Sequence, residues 1–265
     1  MSAAENAPAQ APAVSAPAPY GFFGLIVSLF VIAAVSVAIM AIEAGLWTLV
    51  FGYGSIERGF AEISRVELNE IRNSSAHAQM TLYVLLAASF IAFGLAVLLV
   101  AWFRGGRQWR APLFWTKPLG WPSSRGLLLL AGLALAYLVI VGLGIKLVHP
   151  GFRTWFFIPA SPEGILLSFA TVVLLAPWAE ELVFRGWIYS SLRHSFGAIA
   201  AIALTALLFA VAHMDATGLY PVLIFIPGLI LTLIREKNDS SFASFLAHAS
   251  YNLLAWLIVF FVGNP

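Results

Sequence analysis

Glu180 stands with Glu181 and Arg185 in the stretch Pro177 to Tyr189, PWAEELVFRGWIY, inside an apolar run that begins near Ile165. His213 closes a second stretch, FAVAH from Phe209, and His248 and Asn252 lie one helical turn apart in HASYN, within a third apolar run. A carboxylate, two imidazoles and an amide are groups that move protons to and from a water molecule and donate to a developing negative charge. Two His and one Glu are equally a common zinc-binding set with one position left open for water, here from Glu180, His213 and His248. An ionisable side chain at membrane depth costs roughly 2.5 to 3.5 kcal/mol on insertion scales. Their presence in apolar runs therefore requires a buried polar site.

Helical spacing divides the three charged residues of the first stretch. Glu181 and Arg185 are four apart with the acid on the N-terminal side, the favourable order for an ion pair on one helix face. Glu180 points about 100 degrees away from Glu181 and has Phe184 at its own i+4 position. The pair reads as structural support, and Glu180 as the acid without a local partner. Taken alone, His213 or Asn252 has a plainer reading as an interhelical hydrogen-bond partner in lipid; it is the four together that favour a reactive centre.

Composition fixes the setting of that centre. The 265 residues are 61% hydrophobic and only 10% charged, against about 25% charged in soluble domains. The fold class is all-α: a polytopic membrane bundle of about seven transmembrane helices. The chain has no cysteine, which excludes disulfides, thiolate catalysis and thiolate metal sites. A net charge of +2 scattered over loops gives no nucleic-acid surface.

Residues 1–19 are rich in Ala and Pro without Lys or Arg and read as a disordered tail; no basic region precedes the first apolar run, which is also too long for a signal sequence. Three spans follow within residues 20–162, at about 21–46, 80–103 and 126–148, and four more form a core over 163–265, at about 164–192, 196–214, 219–234 and 242–262. Glu43 reads as an interfacial side chain near the end of the first span. Residues 54–77, with four Glu and three Arg, suit a surface amphipathic helix. The loop with Arg104, Arg107, Arg110, Lys117 and Arg125 has no acid and three Trp, which marks it as cytoplasmic and interfacial. Gly132, Gly142 and Gly144 should let the third span pack closely. His149, beside Pro150, reads as interfacial. Pro177 should loosen the turn before Glu180, and Pro221 and Pro227-Gly228 should interrupt the sixth span. Seven spans place the N-terminus in the cytoplasm.

Counting residues from the turns gives a depth for each group. If the fourth and fifth spans reverse near residues 194–198, Glu180 and His213 fall at the same level. About a turn near residue 238, His248 falls opposite Gly228, nine residues deeper than Leu219, which faces His213; that is about 13 Å of axial offset. Tilt or a break at the prolines must close it.

The motifs EExxxR (Glu180, Glu181, Arg185), FxxxH (Phe209, His213) and HxxxN (His248, Asn252), in this order and each in an apolar segment, resemble those of the CAAX-protease and bacteriocin-processing (CPBP) intramembrane endopeptidases, which include type II CAAX prenyl endopeptidases. The resemblance covers about residues 163 to 260. It implies hydrolysis of a peptide bond in a membrane-associated protein or lipopeptide. Glu180 would activate a water that His213 helps to orient, and His248 and Asn252 would stabilise the oxyanion, with no cofactor; a zinc-dependent version on Glu180, His213 and His248 is the chemical alternative. The implied partners are the lipid bilayer and a membrane-associated protein or peptide, and the implied place is a bacterial plasma membrane. A non-catalytic scaffold or immunity protein on the same fold would not need all four polar residues. A transporter, for which buried Glu and His are also typical, would show an inverted repeat that the span pattern lacks.

Overall fold

The computed structural model describes residues 22–51, 75–105, 110, 113, 115, 124–148, 157–214 and 219–262. Residues 1–19, most of the 54–77 segment, most of the basic loop, His149 and the side chain of Glu43 lie outside the described residues, so the readings made of them stand as expectations. The described chain forms seven helices and no strand: α1 Phe22–Phe51, α2 Ala76–Gly105, α3 Ser124–Val148, α4 Pro162–Phe196, α5 Ala198–Val211, α6 Leu219–Asn238 and α7 Ser241–Val262. Five stretches among the described residues are long and apolar enough to cross a membrane. The molecule is an all-α polytopic membrane bundle.

Helix α4 carries the organising stretch, and its sequence dictates its shape. Ser161 caps it by accepting from Gly164 N–H at 3.1 Å, with Pro162 in its first turn and Glu163 at its positive end. The turn before Pro177 is loosened as expected, because residues 170–175 are π-helical and Ala176 N–H reaches back five residues to Thr171 O. By that spacing Pro177 would serve Val172 O but has no N–H. Asn252 of α7 donates its amide to that carbonyl instead, at 2.8 Å. A second π-helical segment, 182–188, follows the two glutamates, so Glu180 and Glu181 sit in a six-residue α-helical piece between two widened turns. Such widened turns concentrate at functional sites.

Gly197, with φ of +80°, makes the reversal from α4 to α5 in a single residue, a conformation that suits glycine. Helix α6 departs from the expected interruption: it runs unbroken through Pro227. The carbonyl that Pro227 leaves unserved one turn back, Leu223 O, accepts from the Tyr137 hydroxyl of α3. A side chain from another helix thus repairs each interior proline, which is how lipid-embedded helices tolerate them.

Helix α3 differs from expectation in a second way. A Cβ at Gly132, Gly142 or Gly144 would meet nothing within 4 Å, so these glycines do not mediate close packing. The helix lies at the edge of the bundle, held through α7 and the Tyr137 bond, and its glycines look outward. Close packing through glycine occurs instead on α2 and α6. A Cβ at Gly94 would fall 2.1 Å from the Trp178 ring, and one at Gly228 would lie 3.2 Å from Phe209 and 3.4 Å from Ala206.

Gly94 is therefore the seat of Trp178, two residues before Glu180. Replacement by valine should cost about 1–3 kcal/mol, the usual penalty of overpacking, read as a lower unfolding midpoint of the purified protein in detergent. An unchanged midpoint would mean that the indole ring does not occupy this seat.

Candidate active site

The support comes first, because it is buried deepest. Glu181 Oε1 and Arg185 Nη1 pair at 2.8 Å, both side chains 0% exposed. The guanidinium also donates through Nη2 to Gly228 O at 3.1 Å and lies 4.3 Å from the Phe209 ring centre. One arginine thus ties α4 to α6 by a hydrogen bond and to α5 by a cation–π contact. Thr232 donates to the same Gly228 carbonyl at 2.7 Å. Glu181 Oε2 and Arg185 Nε are buried without a hydrogen-bond partner, so the pair is held by part of its capacity only.

Glu181 has a second task that helical spacing does not reveal. Its Oε1 also receives His248 Nδ1 of α7 at 2.9 Å. A carboxylate only accepts, so Nδ1 carries the proton and Nε2 is turned toward Glu180, 3.8 Å from its Oε2. His213 is fixed in the same manner by its own turn. Its Nδ1 donates to Phe209 O at 2.7 Å, and its Nε2 stands 3.9 Å from Glu180 Oε1. Phe209 packs against both imidazoles, with ring centres 4.6 and 5.9 Å away. The FxxxH motif therefore supplies a wall that the two histidines share.

The structure thus brings Glu180, His213 and His248 together, with Glu181, Arg185 and Phe209 behind them. The depth match between Glu180 and His213 is met. The offset of His248 is closed by register and not by a break in α6. A tight reversal that sets His213 opposite Leu219 would set Gly228 opposite residue 204, yet Gly228 lies against Ala206 and Phe209. This slides α6 outward by two to five residues, about 3 to 8 Å, and side-chain reach covers the remainder. The amide nitrogen of Asn252 serves Val172 O, leaving one of its two hydrogens for other use.

The side chains of Glu180, His213 and His248 are 16%, 20% and 8% exposed, so the centre is recessed but open. Its gaps of 3.8 and 3.9 Å exceed direct hydrogen bonds and also the roughly 3.3 Å between neighbouring donors around tetrahedral zinc, given bonds of about 2.0 Å. Among the described residues no group of three His, Asp or Glu has the arrangement of a metal site. The donor types suit zinc, and the two gaps are about half an ångström wider than those of a closed tetrahedral site.

Fold and site together define a polytopic helical membrane protein with a recessed glutamate–histidine centre built from α4, α5 and α7. Residues 162–254 match the family model described as "Type II CAAX prenyl endopeptidase Rce1-like". Over 161 residues the chain is 30% identical to an "Uncharacterized 24.3 kDa protein" of Escherichia coli, a match covering 57% of this chain and 71% of that one. No solved structure matches. The chain belongs to the Rce1-like family, whose members are intramembrane endopeptidases of the CAAX-protease kind.

The buried pair yields a stability prediction. Arg185→Ala strands a buried carboxylate and should cost about 3–5 kcal/mol, whereas Glu181→Leu with Arg185→Met removes both charges and should be less destabilising than the single change. Thermal unfolding in detergent distinguishes the two; a double variant worse than Arg185→Ala would contradict a buried pair whose cost lies in the stranded charge.

Proposed function

We propose that the protein hydrolyses a peptide bond in a membrane-associated protein or peptide, with Glu180 as the base that activates water and without a metal. The observation that carries this reading is the pair of gaps at Glu180. Each carboxylate oxygen faces one imidazole Nε2, at 3.9 Å for His213 and 3.8 Å for His248. That separation suits a shared water better than direct contact.

The steps balance as follows. Glu180 takes a proton from the water as its oxygen adds to the scissile carbonyl, and His213, with its Nε2 lone pair free in the neutral ring, holds the water in line. The carbonyl oxygen becomes an oxyanion. His248 can donate to it from Nε2 only as an imidazolium, since Nδ1 already carries a proton toward Glu181. In that form two carboxylates, Glu180 and Glu181, face two cations, Arg185 and His248, and the buried centre is neutral. The second amide hydrogen of Asn252 is the other candidate donor. Collapse of the tetrahedral species expels the amine, which takes the proton held by Glu180, passed through His213. Products are a carboxylic acid and an amine, between which one proton then passes to give carboxylate and ammonium, with water as the only co-reactant.

Glu181 and Arg185 act through His248 and the helix packing and do not touch the water. Lipidation of the substrate, as the family name implies for its relatives, is compatible with a centre that opens within the bilayer.

Purified wild type should cleave a membrane-anchored peptide, keep that activity through chelation, and lose at least about a hundredfold in kcat as Glu180→Gln, the scale of a general base. Loss on chelation with recovery on added zinc would contradict the metal-free mechanism. Equal activity of Glu180→Gln would remove Glu180 from the chemistry.

A further inference from the structure

We infer that Tyr220, which belongs to none of the three motifs, is a positioning residue of the centre: its ring borders the imidazole of His213 and keeps Nε2 turned toward Glu180. The inference rests on the hydrolytic reading above. The two histidines of the centre stand on unequal supports. His248 lies about two turns inside α7, and its Nδ1 is bound to the buried Glu181. His213 stands beyond Val211, the last residue of α5. Its N–H bonds Ala210 O at 3.0 Å, and Met214 N–H bonds Val211 O at 3.1 Å, the three-residue spacing of a tightened last turn. Helix ends open more readily than helix interiors. His213 is therefore the histidine whose aim needs help from outside its own helix.

The bond from Nδ1 to Phe209 O at 2.7 Å fixes one atom of the His213 ring. A ring held at one atom still turns about that bond, and the turn sweeps Nε2 away from Glu180 Oε1, 3.9 Å distant. Contacts against the ring itself set its plane. Phe209 gives one, with ring centres 4.6 Å apart and planes inclined at 56°. Tyr220 gives another, from α6, with ring centres 6.2 Å apart and planes inclined at 41°. Both separations lie within the range of paired aromatic rings.

Tyr220 has the footing for this task. It lies in the first turn of α6 with Pro221 beside it, a place where proline sacrifices no helical hydrogen bond and presets the backbone. Three residues on, Leu223 O accepts from Tyr137 of α3, and five residues further Gly228 O accepts from Arg185 of α4. Helix α6 is thus tied to two other helices and brings a partly buried phenol ring to the end of α5. The chemical consequence follows from the proposed steps. His213 orients the attacking water and later passes a proton to the amine, and both need Nε2 in line; a displacement of about 1 Å can cost on the order of a hundredfold in rate. Phenylalanine at position 220 keeps the ring, and leucine removes it.

Tyr220→Leu and Tyr220→Phe, each alone and combined with His213→Gln, test this by cleavage of the anchored peptide and by NMR of the histidine ring Cε1–H groups of the full chain in detergent. We expect Tyr220→Leu to lower kcat about tenfold with KM within about twofold, Tyr220→Phe to keep kcat within about twofold, and Tyr220→Leu to add no further loss once His213 is glutamine, as for residues that act as a unit. The His213 signal, assigned by its disappearance in His213→Gln, should shift in Tyr220→Leu and much less in Tyr220→Phe. The His248 signal should stay in place, which also shows the bundle intact; if leucine displaces it, Tyr220→Met takes the place of Tyr220→Leu. A raised KM with kcat unchanged would make Tyr220 a substrate contact and overturn the inference. Losses that multiply with His213→Gln would overturn it too, and so would an equal loss in Tyr220→Phe, which would move the role from the ring to the hydroxyl. A His213 signal that does not move overturns it whatever the activity. Absence of cleavage by wild type, with the His213 signal shifting as expected, counts against the hydrolytic reading instead.

Discussion

The contact on which the rest depends is the buried pair of Glu181 with Arg185. In lipid neither charge can turn to water, so each must be met by the protein, and the partners that meet them come from every helix of the centre. Arg185 reaches the Gly228 carbonyl of α6 and the Phe209 face of α5; Glu181 reaches His248 of α7. Because a buried charge without its partner costs several kcal/mol, the pair fixes the relative register of four helices. Glu180, next in sequence and turned to another face, is thereby held where its carboxylate meets two imidazoles it does not quite touch.

A second constraint is backbone satisfaction. Prolines at 177 and 227 each free a carbonyl, and each carbonyl is capped across a helix interface, by Asn252 and by Tyr137. The first of these joins backbone repair to chemistry. The same loosened turn that positions Glu180 also anchors the amide proposed to assist the oxyanion. An asparagine with one hydrogen committed to Val172 O has its remaining hydrogen directed, which lowers the entropy cost of using it.

Much of this was legible in the sequence because it rests on local spacing. The i,i+4 ion pair, the divergence of Glu180 from Glu181, the loosened turn at Pro177, the seven helices and the equal depth of Glu180 and His213 all follow from helical period and hydropathy. What was not legible depends on how helices slide past one another. The bond from His248 to Glu181 needs the α6–α7 register, which slips outward by a few residues because Gly228 nests against Phe209. The unbroken α6 depends on a tyrosine from a helix some eighty residues earlier. The glycines of α3 promised close packing, yet small residues only permit it; a facing helix must be present, and α3 lies at the bundle edge. Readings on the first 19 residues, the 54–77 segment and most of the basic loop fall where the structure describes little, and they stand as sequence expectations.

The most direct test of a shared water between Glu180 and His213 is a double-mutant cycle on kcat/KM with Glu180→Gln, His213→Gln and both together, using an anchored peptide substrate. Groups that act on one water act as a unit, so the double variant should lose no more than the worse single variant. Losses that multiply would mean that the two residues serve separate steps and that no common water links them.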